Sequence, residues 1–316
     1  MIGGDHADAT DVFEGERPRL FGIAYRMLGS VSDADDVVQD AWLRWCSTDR
    51  ASIRTPAAFL TTVTSRIALD RLGSAQRRRE TYVGPWLPEP LASADDDPES
   101  TTIMAESVML GFLAVLERLG PVERAVFVLR EVFALPYDEV AAVVDRSEDA
   151  CRQIARRARS HVRTERPRVS VDRDRDRKLL DAFLGALASG VPEELAALLH
   201  DDVVLVSDGG PDVRAARHPI VGRDRVTRFV RGISRNPDGN EVDLRFVTVN
   251  GQVALLVRAD GHDTTLFTVE PDASGTRVQR VFALRNPDKL ALLELGDDMG
   301  GISEDRMHHR RDLRDE

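Results

Sequence analysis

Apolar residues recur at helical spacing through the first eighty residues and predict three helices. The first helix ends where the pattern breaks, at Gly29 and Ser30. Ser32 is the predicted N-cap of the second helix, whose acidic first turn suits the positive end of a helix dipole. The third helix is predicted to begin at Pro56, because proline is favoured in a first helical turn. Together they predict an all-α domain over residues 10–80.

The pattern changes twice further along the chain. Residues 81–100 hold four prolines and several acids, which exclude a regular helix and predict an extended linker. Residues 101–166 are helical again, in short pieces, and predict a second all-α domain. Two helical segments and five alternating strand segments then predict a separate α+β domain over residues 175–295. The charged residues 296–316 are predicted to be a disordered tail.

Charge is distributed unevenly along this multidomain chain. A net charge of −11 argues against nucleic-acid binding, yet residues 146–168 contain eight arginines against three acids. Residues 66–79 contain five arginines and one acid. Two basic islands in an acidic chain favour two phosphate-contacting surfaces. Two solvated helix faces would account for the same charges.

Cysteine content and hydropathy exclude several classes of protein. Only Cys46 and Cys151 occur, far apart and without histidines at ligand spacing, so no disulfide framework, metal site or cofactor is expected. The acidic N-terminus lacks the apolar stretch of a secretory signal, and no apolar run has membrane-spanning length. A cytoplasmic protein without a membrane partner is therefore expected.

Residues 136–162 have the pattern of a helix-turn-helix. A helix over 137–144 is followed by a turn in which Asp145 can adopt the left-handed backbone. Ser147 is the predicted cap of the second helix, which would fit the major groove of DNA. An ordinary αα-hairpin with a basic surface is the alternative. The predicted DNA-contacting residues are Ser147, Arg152, Gln153, Arg156, Arg157 and Arg159.

The helical segments together resemble an extracytoplasmic-function sigma factor. FEGERPRLFGIAYRMLGSVSDADDVVQDAWLRW resembles the start of sigma domain two, and the helix-turn-helix resembles domain four, which reads the −35 element. The resemblance implies that the acidic helix DADDVVQDAWLRW docks on the clamp helices of the polymerase β′ subunit, while domain four meets the β flap. The implied polymerase-binding residues are Asp36, Gln39, Asp40 and Trp42.

A second resemblance concerns the −10 element. TPAAFLTTVTSRIALDRLGSAQRRRE resembles the part of sigma domain two that melts and reads this element, although Gly73 stands where related sequences often have arginine. Polar and basic groups on one helical face suit capture of a single strand. A buried pair between Arg66 and Asp70 is the alternative. The implied DNA-contacting residues are Arg66, Asp70, Arg71, Gln76, Arg77, Arg78 and Arg79.

Three short motifs narrow the resemblance to sigma factors with a SnoaL-like extension, the SigJ-like group. WLPEP occupies 86–90 and NPDKL occupies 286–290. The group's DGGGK segment here reads DGGPD, with Pro211 and Asp212 in its last two positions. The implied regulatory residues are Trp86, Leu87, Pro88, Glu89, Pro90, Asp208, Gly209, Gly210, Asn286, Pro287, Asp288, Lys289 and Leu290.

The resemblance implies an alternative sigma factor that binds core RNA polymerase and promoter DNA. Its extension is expected to fold as a cone-shaped SnoaL-like domain and to regulate the factor in place of a separate anti-sigma protein. Tethering favours this role, since it raises effective concentration to about millimolar. A turn and a terminal cap without regulatory function remain the alternative, and a small-molecule ligand of the extension stays open.

Enzymatic function is not expected, although some SnoaL-like pockets use an Asp/His pair as acid and base. The candidates are Asp208, His200 and His218. His200 is expected at an exposed helix end and His218 in a loop, so no catalytic residue is assigned. A free-standing repressor or activator and an enzyme fused to a DNA-binding module are the competing hypotheses. The polymerase-docking helix argues against the first of these.

Overall fold

The computed structural model describes residues 4–92, 107–165, 172–234 and 242–293. The chain forms two compact units, of which the first comprises Met1–Thr81 and Glu99–Arg168. The second comprises Tyr82–Pro98 and Val169–Glu316, so the start of the expected linker belongs to the same unit as the α+β domain. The expected tail and the remainder of the linker, residues 93–100, lie outside the described residues.

The first part of unit one is a three-helix domain. Its helices are α1 (Gly4–Leu28), α2 (Val31–Cys46) and α3 (Pro56–Glu80), with a short 3₁₀ turn at Arg50–Ser52. They pack around a cluster that includes Phe13, Leu20, Val38, Trp45 and Leu60. The indole nitrogen of Trp45 donates to the carbonyl of Ala9 at 3.0 Å and so satisfies its polar atom inside this cluster.

The N-cap of α2 is Ser30, and the expectation of Ser32 was wrong. Ser30 has an extended backbone, and its hydroxyl accepts from the amide of Asp33 at 3.1 Å. Ser32 already lies inside the first helical turn. A capping hydroxyl reaches the amide two or three residues ahead, so a serine inside the first turn cannot serve.

The second part of unit one contains the helix-turn-helix. Helices α4 (Leu110–Leu116) and α5 (Pro121–Phe127), the latter continued by a wider π-type turn at Val128–Val132, precede α6 (Tyr137–Val144) and α7 (Glu148–Glu165). Two local predictions are confirmed. Asp145 has the left-handed φ of 52°, and the hydroxyl of Ser147 accepts from the amide of Ala150 at 3.2 Å.

Two arginines of low exposure join the two parts of unit one at the C-terminal end of α1. Glu117 is shared by Arg79 and Arg124, and all three side chains are at most 15% exposed. Arg79 also donates to the carbonyl of Leu28, and Arg124 donates to that of Met27 at 2.9 Å. These carbonyls form the negative end of the α1 dipole, which guanidinium groups stabilise.

Removing the shared carboxylate should destabilise this unit. We expect Glu117→Gln to lower the free energy of unfolding by about 3 kcal/mol, because two guanidiniums that are at most 13% exposed lose their counter-ion. Urea unfolding of the full chain in a Trp86→Phe background measures it, since Trp42 and Trp45 both report on unit one. Glu14→Gln is the control, because its pair with Arg17 is exposed. Equal midpoints for the two variants would contradict the assigned role of Glu117.

Unit two is an α+β domain. Its helices are α8 (Arg173–Ser189), α9 (Pro192–Leu198), α10 (Arg223–Ser234) and α11 (Pro287–Leu290). Its strands are β1 (Leu199–Asp208), β2 (Ile220–Val221), β3 (Val242–Val249), β4 (Gln252–Ala259), β5 (His262–Pro271) and β6 (Val278–Leu284). They form one sheet in the order β2-β1-β6-β5-β4-β3, in which only β1 and β6 run parallel.

The structure confirms the five predicted strands and adds three elements to the predicted ones. Helices α10 and α11 and the short strand β2 were not predicted. His200 lies within β1 and does not end a helix as expected. The helical pattern stops earlier because Leu199 is fully buried opposite Val278 in the sheet. Helices α8, α9 and α10 cover one face of the sheet with a core that includes Leu180, Phe183 and Val226.

Candidate functional site

Asp208, at the end of β1, anchors the linker to the α+β domain. Its side chain is fully buried. One carboxylate oxygen accepts from the Tyr82 hydroxyl at 2.7 Å and from the Gly210 amide at 3.0 Å. The other accepts from the Leu87 amide and from the Lys289 ammonium, each at 2.8 Å. Since an ionised carboxylate offers about four acceptor sites, Asp208 is fully satisfied.

Lys289 provides the buried positive charge of this site. It is 5% exposed, and besides Asp208 it donates to the carbonyl of Leu87. Its ammonium lies 4.1 Å from the ring centroid of Trp86 and 5.2 Å from that of Tyr82. Removing both charges from water is costly, but the hydrogen bonds and the aromatic faces offset that cost.

The glycines of the DGG turn are required by close contacts. A Cβ atom at Gly209 would lie 2.2 Å from the carbonyl oxygen of Val213. Gly210 has a φ of +65°, and a Cβ atom there would lie 2.9 Å from the side chain of Asn286. Pro211 and Asp212, where the chain departs from related sequences, follow these glycines and are exposed.

Asn286 connects the NPDKL motif to the linker. Its amide nitrogen donates to the Tyr82 hydroxyl at 2.8 Å, and its oxygen caps α11 by accepting from the Asp288 amide at 3.0 Å. Burial and the hydrogen bond to Asp208 raise the pKa of the Tyr82 hydroxyl above its usual value. Tyr82 was missed in the sequence, where only its position just before WLPEP could have indicated it.

The remaining motif residues differ in exposure. Pro88, Pro90 and Leu290 are buried, whereas Glu89 is partly exposed. Pro287 and Asp288 are exposed at the start of α11. The structure therefore brings residues from WLPEP, DGG and NPDKL into direct contact through Leu87, Asp208, Asn286 and Lys289.

A second anchor holds the linker at Asn250, a residue that was not predicted. The amide of Asn250 donates to the carbonyl of Leu91 at 2.8 Å, and its side-chain oxygen accepts from the Leu91 amide at 3.0 Å. Ala92 forms an isolated bridge with Val249. Asn250 is fully buried, with a left-handed φ of 55°. The Asn-Gly pair is a known signal for a hairpin turn, but nothing in it indicates Leu91.

The candidate acid and base residues do not come together. Asp208 is occupied by its four donors, and His218 is exposed in a loop. The Nδ1 atom of His200 faces the amide of Asp202 at 3.2 Å. Phe183, Phe246 and Phe267 belong to the packed core on the helix-covered face of the sheet. Within the described residues no cluster of His, Cys, Asp or Glu could hold a metal ion, and no helix could span a membrane.

The acidic face of α2 carries most of the residues assigned to polymerase binding. Asp36 and Gln39 are exposed and Asp40 is partly exposed. Trp42 is half-buried, with its ring centroid 4.9 Å from that of Phe13. Leu43, seven residues after Asp36 and thus on the same face, is 59% exposed and was not predicted.

The basic residues of α3 are partly engaged within unit one. Asp70 and Arg77 are exposed and Gln76 is partly exposed. Arg66 is exposed too, so a buried pair with Asp70 is not formed, and it donates to the Ala142 carbonyl at 2.6 Å. The other three arginines of the set form ion pairs: Arg71 with Asp36 and Asp40, Arg78 with Asp33, and Arg79 with Glu117.

Helix α7 presents the predicted −35 residues to solvent. Arg152 lies 2.7 Å from Glu148 and over the ring of Tyr137. Gln153 and Arg156 are exposed. Two further arginines lie near acids, Arg157 at 3.9 Å from Glu123 and Arg159 at 3.5 Å from Glu131. An open groove on α7 is lined by Arg156, Arg159, Ser160, Arg163 and Thr164.

Three family models match successive parts of the chain. Residues 12–78 match sigma-70 region 2, residues 110–162 match sigma-70 region 4, and residues 180–290 match the SnoaL-like domain. These matches agree with the two helical parts of unit one and with the α+β domain of unit two.

Individual proteins are similar over most of the chain. An ECF RNA polymerase sigma factor of Mycobacterium tuberculosis, SigJ, is 38% identical over 94% of this chain and 98% of its own length. A probable ECF sigma factor of that organism, SigI, is 34% identical over 70% of this chain and 75% of its own. The crystal structure of M. tuberculosis SigJ matches with a TM-score of 0.69 and 34% identity, covering 89% of this chain and 98% of that one.

Loss of the Lys289 charge should loosen the linker. Lys289→Met keeps most of the side-chain volume but leaves Asp208 without its cation. We expect the Leu87 amide to exchange with solvent about 30-fold faster, which corresponds to about 2 kcal/mol for a hydrogen bond to a charged group. Hydrogen exchange of the full chain measures this, with the exposed neighbour Asp288→Asn as control. Unchanged exchange at Leu87 would show that Lys289 does not hold the linker.

Proposed function

Because the chain belongs to the extracytoplasmic-function RNA polymerase sigma factors, we propose that it docks on core polymerase through α2 and reads promoters through α3 and α7. We also propose that its SnoaL-like domain regulates this activity through the linker. The observation that carries the regulatory part is the buried Asp208–Lys289 pair, which binds the Leu87 amide and carbonyl.

The docking surface is supported by charge and exposure. The proposed surface lies on one face of α2, because its other members follow Asp36 by three, four and seven residues. These members are Gln39, Asp40 and Leu43. An acidic stripe with one exposed leucine suits a basic partner surface that has an apolar contact at its edge. The partly exposed Trp42 would then contribute through its exposed ring edge, while its packing on Phe13 supports the helix.

The two reading surfaces are supported by their basic residues. Helix α7 presents Arg152, Gln153 and Arg156 near its N-terminal half, where a recognition helix meets base edges and phosphates. Helix α3 presents Arg66, Arg77 and Arg78, which suit the backbone of a single strand. Arg79 would reach DNA only if its contacts with Glu117 and Leu28 were broken.

Regulation through the linker follows from the length of chain that the two anchors immobilise. Residues 82–91 could span up to about 33 Å when extended. While Asp208 and Asn250 hold them, that length is unavailable for separating the two DNA-reading domains. Releasing residues 82–91 from both anchors lengthens the connection between the two DNA-reading domains. The linker therefore has an anchored and a released state, with different consequences for promoter binding.

The proposal does not require a separate anti-sigma protein or catalysis. Tethering gives the extension an effective concentration of about millimolar, at which a weak contact suffices. Both oxygens of its buried Asp208 carboxylate are occupied by donors from the linker, the DGG turn and Lys289, which argues against an acid–base role. A small-molecule ligand of the extension could act by shifting the same equilibrium.

Binding to core polymerase tests the central claim. We expect immobilised core polymerase to retain the full chain. The complex should also start transcription from a double-stranded promoter, which is found by selecting the templates that yield run-off transcripts. A free-standing repressor would bind promoter DNA without retention. Retention without transcription from melted or unmelted templates would contradict the proposed role in initiation.

The extension should change promoter output. Removing residues 175–316 should alter reporter activity by up to about 30-fold, the ratio that about 2 kcal/mol supports, and a cut after Leu290 should have a different effect. Lys289→Met should shift activity in the direction of the extension-free protein, whereas Asp288→Asn should not. Equal activity of the full-length, tail-trimmed and extension-free proteins would refute regulation by this domain.

Arg156 should contact a phosphate. We expect Arg156→Ala to weaken promoter binding by the holoenzyme and to reduce the slope of log affinity against log salt by about one unit. Fluorescence anisotropy at several salt concentrations measures the slope. Arg225→Ala, an exposed arginine of α10 in the other unit, removes the same charge and should leave it unchanged. An unchanged slope for Arg156→Ala would place this residue away from DNA.

A further inference from the structure

Two surfaces with different proposed partners share one set of ion pairs. Arg71 belongs to the basic face of α3 proposed for the −10 strand. Its guanidinium bridges two carboxylates of the proposed polymerase-docking stripe, at 3.1 Å from Asp36 and 2.5 Å from Asp40. Arg78 pairs with Asp33 at 3.1 Å and continues the series along the same two helices.

The arrangement is a property of the fold. Positions 33, 36 and 40 share one face of α2, and positions 71 and 78, seven residues apart, share one face of α3. Asp33 pairs with Arg78, whereas Asp36 and Asp40, which come later in α2, pair with Arg71, which comes earlier in α3. The two helices are therefore antiparallel. Both helices contribute to the same buried cluster, and the charged faces are therefore held opposite one another.

These ion pairs are accessible enough to exchange partners. The side chain of Arg71 is 32% exposed, that of Asp36 63% and that of Asp40 46%. Pairs at such exposure contribute little to folding stability. Burial lowers the pKa of Arg71, but its bonds to Asp36 and Asp40 outweigh that and leave the pKa above its usual value. When Arg71 leaves these carboxylates it keeps its charge, because an arginine guanidinium stays protonated in proteins.

We propose that Arg71 is an exchangeable counter-ion that couples polymerase docking to capture of the −10 strand. The inference rests on the proposed function for the identity of both partners. A basic polymerase surface that binds Asp36 and Asp40 displaces Arg71, whose guanidinium is then free to bind a phosphate. By linkage, a phosphate bound to Arg71 exposes the carboxylates and strengthens docking by the same factor.

The first test uses DNA alone. Full-length variants are titrated with a mixed-sequence, single-stranded 20-nucleotide probe in about 50 mM salt, where phosphate contacts are strong. Asp40→Asn should raise affinity about threefold more than Asp35→Asn, the ratio that an exposed ion pair supports. Asp35 is the matched control, since it is exposed on the same helix and no ion pair reaches it among the described residues.

A double-mutant cycle then identifies the route. In an Arg71→Gln background, Asp40→Asn and Asp35→Asn should have equal effects, because the excess acts only through Arg71. If Asp40→Asn still raises DNA affinity more than Asp35→Asn in the Arg71→Gln background, the proposal is overturned. Equal effects of the two aspartate substitutions in the wild-type chain would also overturn it.

The second test uses core polymerase without DNA. Arg71→Gln should bind core polymerase about threefold more tightly than Arg77→Gln, because both lose one charge of α3 but only the first releases Asp36 and Asp40. Equal affinities would overturn the exchange. If the wild-type chain fails to bind polymerase, the proposed function fails, while the cycle on DNA still decides whether Arg71 is the route.

Discussion

The ion pair between Asp208 and Lys289 is the contact on which the organisation of unit two depends. Both charges are shielded from water, and the four donors that satisfy Asp208 come from three parts of the unit: the linker, the DGG turn and α11. Such a pair is stable only when all its partners are present. The linker, the DGG turn and α11 therefore form one cooperative contact, in which loss of one member weakens the others.

Electrostatics in unit one follow a different principle. Glu117 is only 15% exposed and is shared by two arginines, which makes it structural, whereas the pairs between α2 and α3 are more exposed and weak. Arg79, at the C-terminal end of α3, thus stabilises the unit. Arg71, nearer the middle of the helix, remains available to exchange ion-pair partners. The net charge of −11 therefore says little about which partners such a chain binds, because the acids and arginines act in local pairs.

Much of the fold could be predicted from local sequence signals. The turn at Asp145, the cap at Ser147 and the alternation of the strands each depend on residues a few positions apart. Helix α10 was missed because its apolar positions, Val226 and Val230 among them, alternate with four arginines. His200 was misplaced because the burial of Leu199 in the sheet outweighs a continuing helical pattern.

The site residues also divide into those that a local sequence motif identifies and those whose role depends on distant partners. Asp208, Lys289 and Asn286 were found because they lie in short motifs with a recognisable resemblance. Tyr82 and Asn250 were not, since their partners lie 126 and 159 residues away, and no local pattern encodes such pairings. The structural role of Arg79 was hidden for a related reason, because a run of arginines looks the same in the sequence whether its members contact DNA or a glutamate of the same unit.

The separation between Leu87 and Lys289 also has a consequence for synthesis of the protein. The two residues are 202 positions apart. A ribosome adding about 5–20 residues per second needs roughly 10–40 s to travel between them. Once synthesis has passed residue 166, and until it reaches Lys289, the nascent chain contains both DNA-reading domains and the linker, but not the lysine that fastens it. Each newly made molecule therefore passes through a stage in which its linker has not yet been locked.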